Sequence, residues 1–173
     1  MEVQELTTVA TVGQLNIQDP RSLCWSLTGD TLFVSNYSNG DSPIVVTMLL
    51  RSEGFKKAHS LFSGYKWVIS ATIHPQTGDI YFAQESDATI KRYNMATKEV
   101  ETMFSVGGNW IWMYVYFHPS GDFAYLMRPR EGTIFKCQFN KTTNWLELPS
   151  IYVGNWNKGY NEGVGTNVRM GVM

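Results

Sequence analysis

Apolar and polar residues alternate along the chain in short bursts and not at helical spacing. VISATIH (68–74), IYFAQ (80–84), TIKRY (89–93) and VETMF (100–104) are rich in Val, Ile, Thr, Tyr and Phe and bounded by Gly, Asn, Asp or Pro. That is the pattern of strands separated by tight turns, and it predicts strands over Val68–His74, Ile80–Gln84, Thr89–Tyr93 and Val100–Phe104. A second set is predicted at Ser22–Ser26, Thr31–Ser35, Ile44–Leu50 and Ala58–Phe62, and a third at Met113–His118, Phe123–Met127, Thr133–Phe139 and Trp145–Leu148. The best helical window, RSEGFKKAHSL (51–61), is interrupted by Gly54, so the chain reads as all-β.

The three sets repeat. HPQTGDIYFA (74–83) returns as HPSGDFAYLM (118–127) and, more loosely, as WSLTGDTLFV (25–34), placing Gly-Asp pairs at 29–30, 78–79 and 121–122, 49 and 43 residues apart. A period of forty-odd residues suits four short antiparallel strands in a plain meander, one blade of a β-propeller. Each pair is expected to close the hairpin between the first strand (a) and the second (b), Gly supplying positive φ and Asp bonding the backbone nearby. The blades are drawn at 19–64, 65–108 and 109–155, with a remnant of a last strand (d) at 6–12 and an inter-blade linker at 156–173. A propeller needs four or more blades to close. About three blades leave two open edges, so a fragment, or a chain completed by a partner, is expected, with self-association through unpaired strand edges.

Tyr, Phe and Trp supply 14% of the residues, which reinforces the strand reading. A formal charge of −1 with acids and bases interspersed lacks the basic footprint of a nucleic-acid binder. No apolar run predicts a membrane span, and the opening MEVQELTTVATVGQ has no export-signal pattern. Cys24 and Cys137 lie far apart without metal-ligand spacing and are expected to be buried free thiols.

The tail GYNEGVGTNVRM (159–170) resembles the linker ahead of a blade in NHL-repeat propellers, and IKRY (90–93) is similar to that repeat's third strand (c). With the Gly-Asp strands, the resemblance spans most of the chain and narrows towards bacterial surface proteins carrying such a propeller. It implies a six-bladed all-β propeller and a bacterial cell-surface or periplasmic setting. The repeat's usual D-x-x-N-H-R-I run after strand b is absent, replaced by SNYSNGDSP (35–43), QESDATI (84–90) and MRPREGTI (127–134). No ligand residue is therefore carried over from the family.

Candidate chemistry is sparse. His74 and His118 recur beside Pro in matching turns and are expected to serve those turns; His59 shows no partner signal. Six residues beyond each turn Asp stand Asn36, Glu85 and Arg128, an amide, a carboxylate and a guanidinium, which is no cage for a hard cation. No catalytic, metal or cofactor site is predicted. In a meander the b–c and d–a connections emerge on one face. There the sequence gathers Asn36, Tyr37, Asp41, Glu85, Asp87, Arg128 and Arg130 with Tyr65, Lys66, Trp67, Asn109, Trp110, Trp112, Trp156 and Asn157. Flat rings beside amides and charges suit a glycan, peptide or protein partner, while rings capping the core between blades remain the structural alternative. A non-enzymatic binding or scaffold module is the leading reading; a hydrolase or lyase with its site at the channel is the other.

Overall fold

The computed structural model of the protein describes residues 17, 19–37, 44–107, 113–154 and 163–167. The predicted strand remnant at 6–12 and most of the linker at 156–173 lie outside these. Strands β1 (Pro20–Trp25), β2 (Thr31–Asn36), β3 (Ile44–Leu50) and β4 (Ala58–Ser63) pair in chain order as one antiparallel four-stranded sheet. A second such sheet holds β5 (Val68–Ile73), β6 (Ile80–Gln84), β7 (Thr89–Tyr93) and β8 (Val100–Ser105). The third runs β9 (Tyr114–Phe117), β10 (Phe123–Arg128), β11 (Thr133–Asn140) and β12 (Trp145–Leu146), with β13 (Ser150–Gly154) also on β11.

These are three propeller blades, and most of the predicted strands are recovered within a residue or two. One departs. The fourth strand of the third blade, expected at Trp145–Leu148, stops at Leu146, and pairing with β11 resumes only in β13. Pro149, which has no amide to donate to a ladder, stands in the interruption. Of the helical candidate 51–61, only Arg51–Glu53 forms a 3-10 turn, ended by Gly54 at φ 62°.

First strands pack side by side, β5 touching both β1 and β9, which puts strand a of every blade at the centre of the arc. Their contact is hydrogen-bonded as well as apolar. The Ala71 amide donates to Ser22 Oγ (2.8 Å), and one blade on the Val115 amide donates to Ser70 Oγ (3.1 Å). Two cores fill the joints. Phe33 and Val46 of the first blade meet Val68, Ala71, Ile80 and Phe82 of the second; Tyr81 and Ile90 of the second meet Val115, Leu126, Cys137 and Leu146 of the third. The middle blade is covered on both faces, so β6 and β7 are buried throughout. Burial pushes the free thiols of Cys24 and Cys137 up to about 12.

Gly29, Gly78 and Gly121 all take positive φ, 69°, 78° and 73°, as their turns require. The aspartates beside them do not share one role. Asp79 accepts from the Met95 amide and from Arg92 Nε (both 3.0 Å). Asp30 accepts from the hydroxyls of Ser26 and Thr31, and Asp122 pairs with Lys141 at 2.6 Å. The backbone amide that the Asp79 side chain bonds is 16 residues away.

Candidate functional site

Each a–b turn closes with one backbone pair: Ser26 N to Thr31 O, His74 N to Asp79 O and His118 N to Phe123 O. These pairs fix which residues correspond between blades. HPQTGD holds one more residue ahead of its Gly than HPSGD does, and the fold absorbs it by drawing Asp79 into the ladder position that Thr31 and Phe123 occupy. The residue matching Asn36 and Arg128 is therefore Gln84, and Glu85 matches Tyr37 and Pro129. The sequence alignment through the Gly-Asp pairs, which grouped Asn36, Glu85 and Arg128, is corrected by one position in the middle blade.

The corrected register explains the site. A residue in left-handed conformation enters strand a of the first two blades, Asp19 at φ 41° and Trp67 at φ 51°. Each offers its carbonyl to the first amide after strand b: Asp19 O accepts from Tyr37 N and Trp67 O from Glu85 N, both at 3.0 Å. Positive φ on a non-glycine side chain is strained and persists only where the surroundings hold it. Here that contact ties the d–a connection of a blade to its own b–c connection. Across the joint, Tyr37 Oη donates to Glu85 Oε2 at 2.7 Å. Burial, with the hydrogen bond to Glu85 and its charge, pushes the Tyr37 phenol up to about 12, so it stays a donor at neutral pH. Arg21, paired with Asp19 at 2.7 Å, lies over the Tyr37 ring at 4.6 Å from its centroid.

Glu85, only 2% exposed, Tyr37 and Trp67 thus come together where two blades meet. Other expected residues go elsewhere. Asn36 is buried, its Nδ2 donating to Thr47 Oγ1 at 2.8 Å. Arg128, one blade on, donates to Glu131 at 3.1 Å and faces the Phe135 ring. Tyr65 belongs to the core between blades, edge-on to Phe62 and Phe82 with Lys91 over its ring; for it the core alternative wins. Asp87 and Lys66 are exposed, with Asp87 bonding Thr89 and Lys91. Asn109, Trp110, Trp112 and Trp156, with Asp41 and Asn157, lie outside the described residues. Asp19 and Arg21, which sequence reasoning missed, precede the first Gly-Asp turn, where no repeat copy was strong enough to mark them.

The turn histidines do serve their turns. His74 Nδ1 accepts from the Gln76 and Thr77 amides (3.2 and 3.1 Å), and its Nε2 lies 3.0 Å from Gly121 O of the next blade. His118 Nδ1 accepts from the Ser120 amide. His59, whose partner no sequence signal marked, pairs with Glu53 Oε2 at 2.6 Å. Among the described residues no three His, Cys, Asp or Glu side chains gather as a metal site, and no helix is long and apolar enough to cross a membrane.

No protein-family model matches the chain, and no curated protein matches it. Solved structures do. An auxiliary nutrient binding protein from Bacteroides thetaiotaomicron matches with a TM-score of 0.83 at 28% identity, over 88% of this chain and 36% of that one. An auxiliary nutrient binding protein from Bacteroides ovatus matches with a TM-score of 0.83 at 25% identity, over 90% and 37%. The chain folds as they do. A putative phosphatase from Bacteroides thetaiotaomicron, TM-score 0.81 at 19% identity, shares the fold alone. The chain spans between 36% and 40% of the length of these three neighbours.

Proposed function

We propose that this chain is part of a non-enzymatic binding module, a bacterial propeller of the NHL-repeat kind, divided into blades at 19–64, 65–108 and 109–155. The face carrying its b–c and d–a connections holds a nutrient-derived glycan. The Tyr37–Glu85 hydrogen bond beside the Trp67 backbone carries the reading: the buried Glu85 carboxylate anchors the phenol, and the half-buried Tyr37 and Trp67 stand at the meeting of two blades. Sugars are bound by such pairings of a flat ring with fixed polar groups. The two neighbours at 28% and 25% identity, both described as auxiliary nutrient binding proteins, support a binding role. Peptide and protein partners are the other occupants of the same face, and a cell-surface or periplasmic location accords with the resemblance to surface propellers. For a hydrolase or lyase at the channel, no observation among the described residues speaks.

A glycan array probed with the chain tests the reading. Trp67→Ala and Glu85→Gln are each expected to weaken the retained glycan at least tenfold while the fold is kept. Binding unchanged in both folded variants, or no glycan retained by the parent chain, overturns it.

A further inference from the structure

Of the three histidines, only His74 stands in a joint between blades. His59 pairs with Glu53 inside the first blade, and His118 is exposed beside Ser120. The His74 ring is wholly buried, its centroid 4.7 Å from Phe117 and 4.1 Å from Phe139 of the third blade and 6.3 Å from Tyr81 of its own. Its bonds fix its protonation. The Gln76 and Thr77 amides both donate to Nδ1, which therefore carries no proton. The one ring proton of a neutral imidazole is then on Nε2, and it is donated to Gly121 O at 3.0 Å. From the same turn Gln76 Nε2 donates to Ser120 O at 2.6 Å. Both bonds run from the turn that Nδ1 holds together into the matching turn of the next blade.

We propose that His74 is an acid-sensitive latch: a proton on Nδ1 releases the third blade from the second while the joint between the first two blades stays shut. A second ring proton has only Nδ1 to go to, and there it meets two N–H groups that must turn away. Their turning undoes the 74–79 turn and with it the position of Gln76. The ring has no slack to shift within the joint, since a β-carbon on Gly121 would stand 3.0 Å from its Cε1. The charged groups that face it are already engaged. Asp79 of its own turn is held by Arg92 Nε at 3.0 Å, Arg92 lies 3.6 Å from Glu101, and Lys141 of the third blade is paired with Asp122 at 2.6 Å. Burial above all, helped by the charges of Arg92 and Lys141, holds the ring below its ordinary pKa against the Gly121 carbonyl and the charge of Asp79. The latch is therefore shut above the unfolded imidazole value of about 6.5 and opens as pH falls towards the lower folded one. The first joint has no such group: Ser26 holds the place of His74, and a β-carbon on Gly78 would stand 3.6 Å from Leu27 Cδ1.

Backbone hydrogen exchange, followed by NMR on the full chain from about pH 7.5 to about pH 5 and expressed as protection factors, reads the two joints separately. The Val115 amide, bonded to Ser70 Oγ, reports the joint of the second and third blades, and the Ala71 amide, bonded to Ser22 Oγ, that of the first two. Val115, Gln76 and Thr77 are expected to lose protection by about tenfold as pH falls, while Ala71 keeps it. Ring signals of labelled histidine should show His74 neutral at the upper end, with its proton on Nε2. Folded His74→Gln should hold Val115 protection level across the range. Equal losses at both joints, Val115 protection unchanged while His74 titrates, a ring proton on Nδ1 at neutral pH, or a selective loss that persists in folded His74→Gln overturns the proposal. The parent chain's exchange and ring signals decide it even where the variant does not fold. His74 lies on the a–b side of the blades, away from Tyr37 and Glu85, so the outcome is independent of glycan binding.

Discussion

Ser70 and Val115 are joined across two blades: the Val115 amide donates to Ser70 Oγ at 3.1 Å, and the same hydroxyl reaches Met113 O at 3.3 Å. Ser22 and Ala71 repeat the arrangement one joint earlier. A hydroxyl therefore satisfies backbone groups of the neighbouring first strand that the edge of a sheet leaves without ladder partners.

Ser70→Ala leaves the Val115 amide buried and unpaired, a loss of about 1–3 kcal/mol. Ser22→Ala should cost less, because Ser22 is only half-buried. Urea unfolding of the two variants measures the difference, and equal small losses would show that the joint does not need the bond.

His74 makes folding depend on pH. Burial holds its pKa below the usual imidazole value, and its Nδ1 accepts two amides that a protonated ring cannot serve. The unfolded chain therefore binds the proton more readily, and stability rises with pH. The contribution is full above the unfolded pKa of about 6.5 and falls away as pH drops below it towards the lower folded value. Unfolding midpoints taken across this range should slope for the parent chain and lose that part of the slope in His74→Gln.

A β-carbon on Gly121 would stand 3.0 Å from His74 Cε1 on a backbone at φ 73°. Gly64→Ala, at φ 89° with nothing within 4 Å, isolates the backbone cost, roughly 1–2 kcal/mol. Gly121→Ala should exceed it by the cost of displacing a buried imidazole. Thermal denaturation of both compares them directly, and equal shifts in Tm would remove the close packing from the account.

Arg92 and Asp79 are a buried pair, each side chain 8% exposed, and Arg92 Nη1 also donates to Asn144 O of the next blade at 2.8 Å. Arg92→Met strands the carboxylate and should cost about 3–5 kcal/mol. Arg92→Met with Asp79→Asn should recover part of that, since an amide is far cheaper to bury than an unpaired charge. A double-mutant cycle by urea unfolding gives the coupling; additive losses would mean the two act separately.

Most of the blade pattern was legible because turn chemistry is local: Gly at positive φ and runs of Ile, Tyr, Phe and Val mark hairpins without tertiary knowledge. The site was legible only in part. HPQTGD and HPSGD differ by one residue, and only backbone pairing reveals that the extra residue moves Asp79 into the ladder, so Glu85 was grouped with Asn36 instead of Tyr37. Tyr65 sits in a connection by sequence yet lies in the core, since its contacts come from β4 and β6. His59 looked partnerless because Glu53 reaches it only once the chain has turned at Gly54.

At the entrance to each of the first two blades, main-chain atoms link the connections, Asp19 O to Tyr37 N and Trp67 O to Glu85 N. That main-chain link does not depend on which side chains stand there, provided the left-handed turn is tolerated. Duplicating such a unit copies the support and leaves the chemistry open, and the two copies have used that freedom differently: acid with phenol in one, indole with acid in the next. The third copy carries Pro129, which has no amide to donate, and so has left the rule altogether. A lineage built this way can acquire new recognition one loop at a time without refolding its framework.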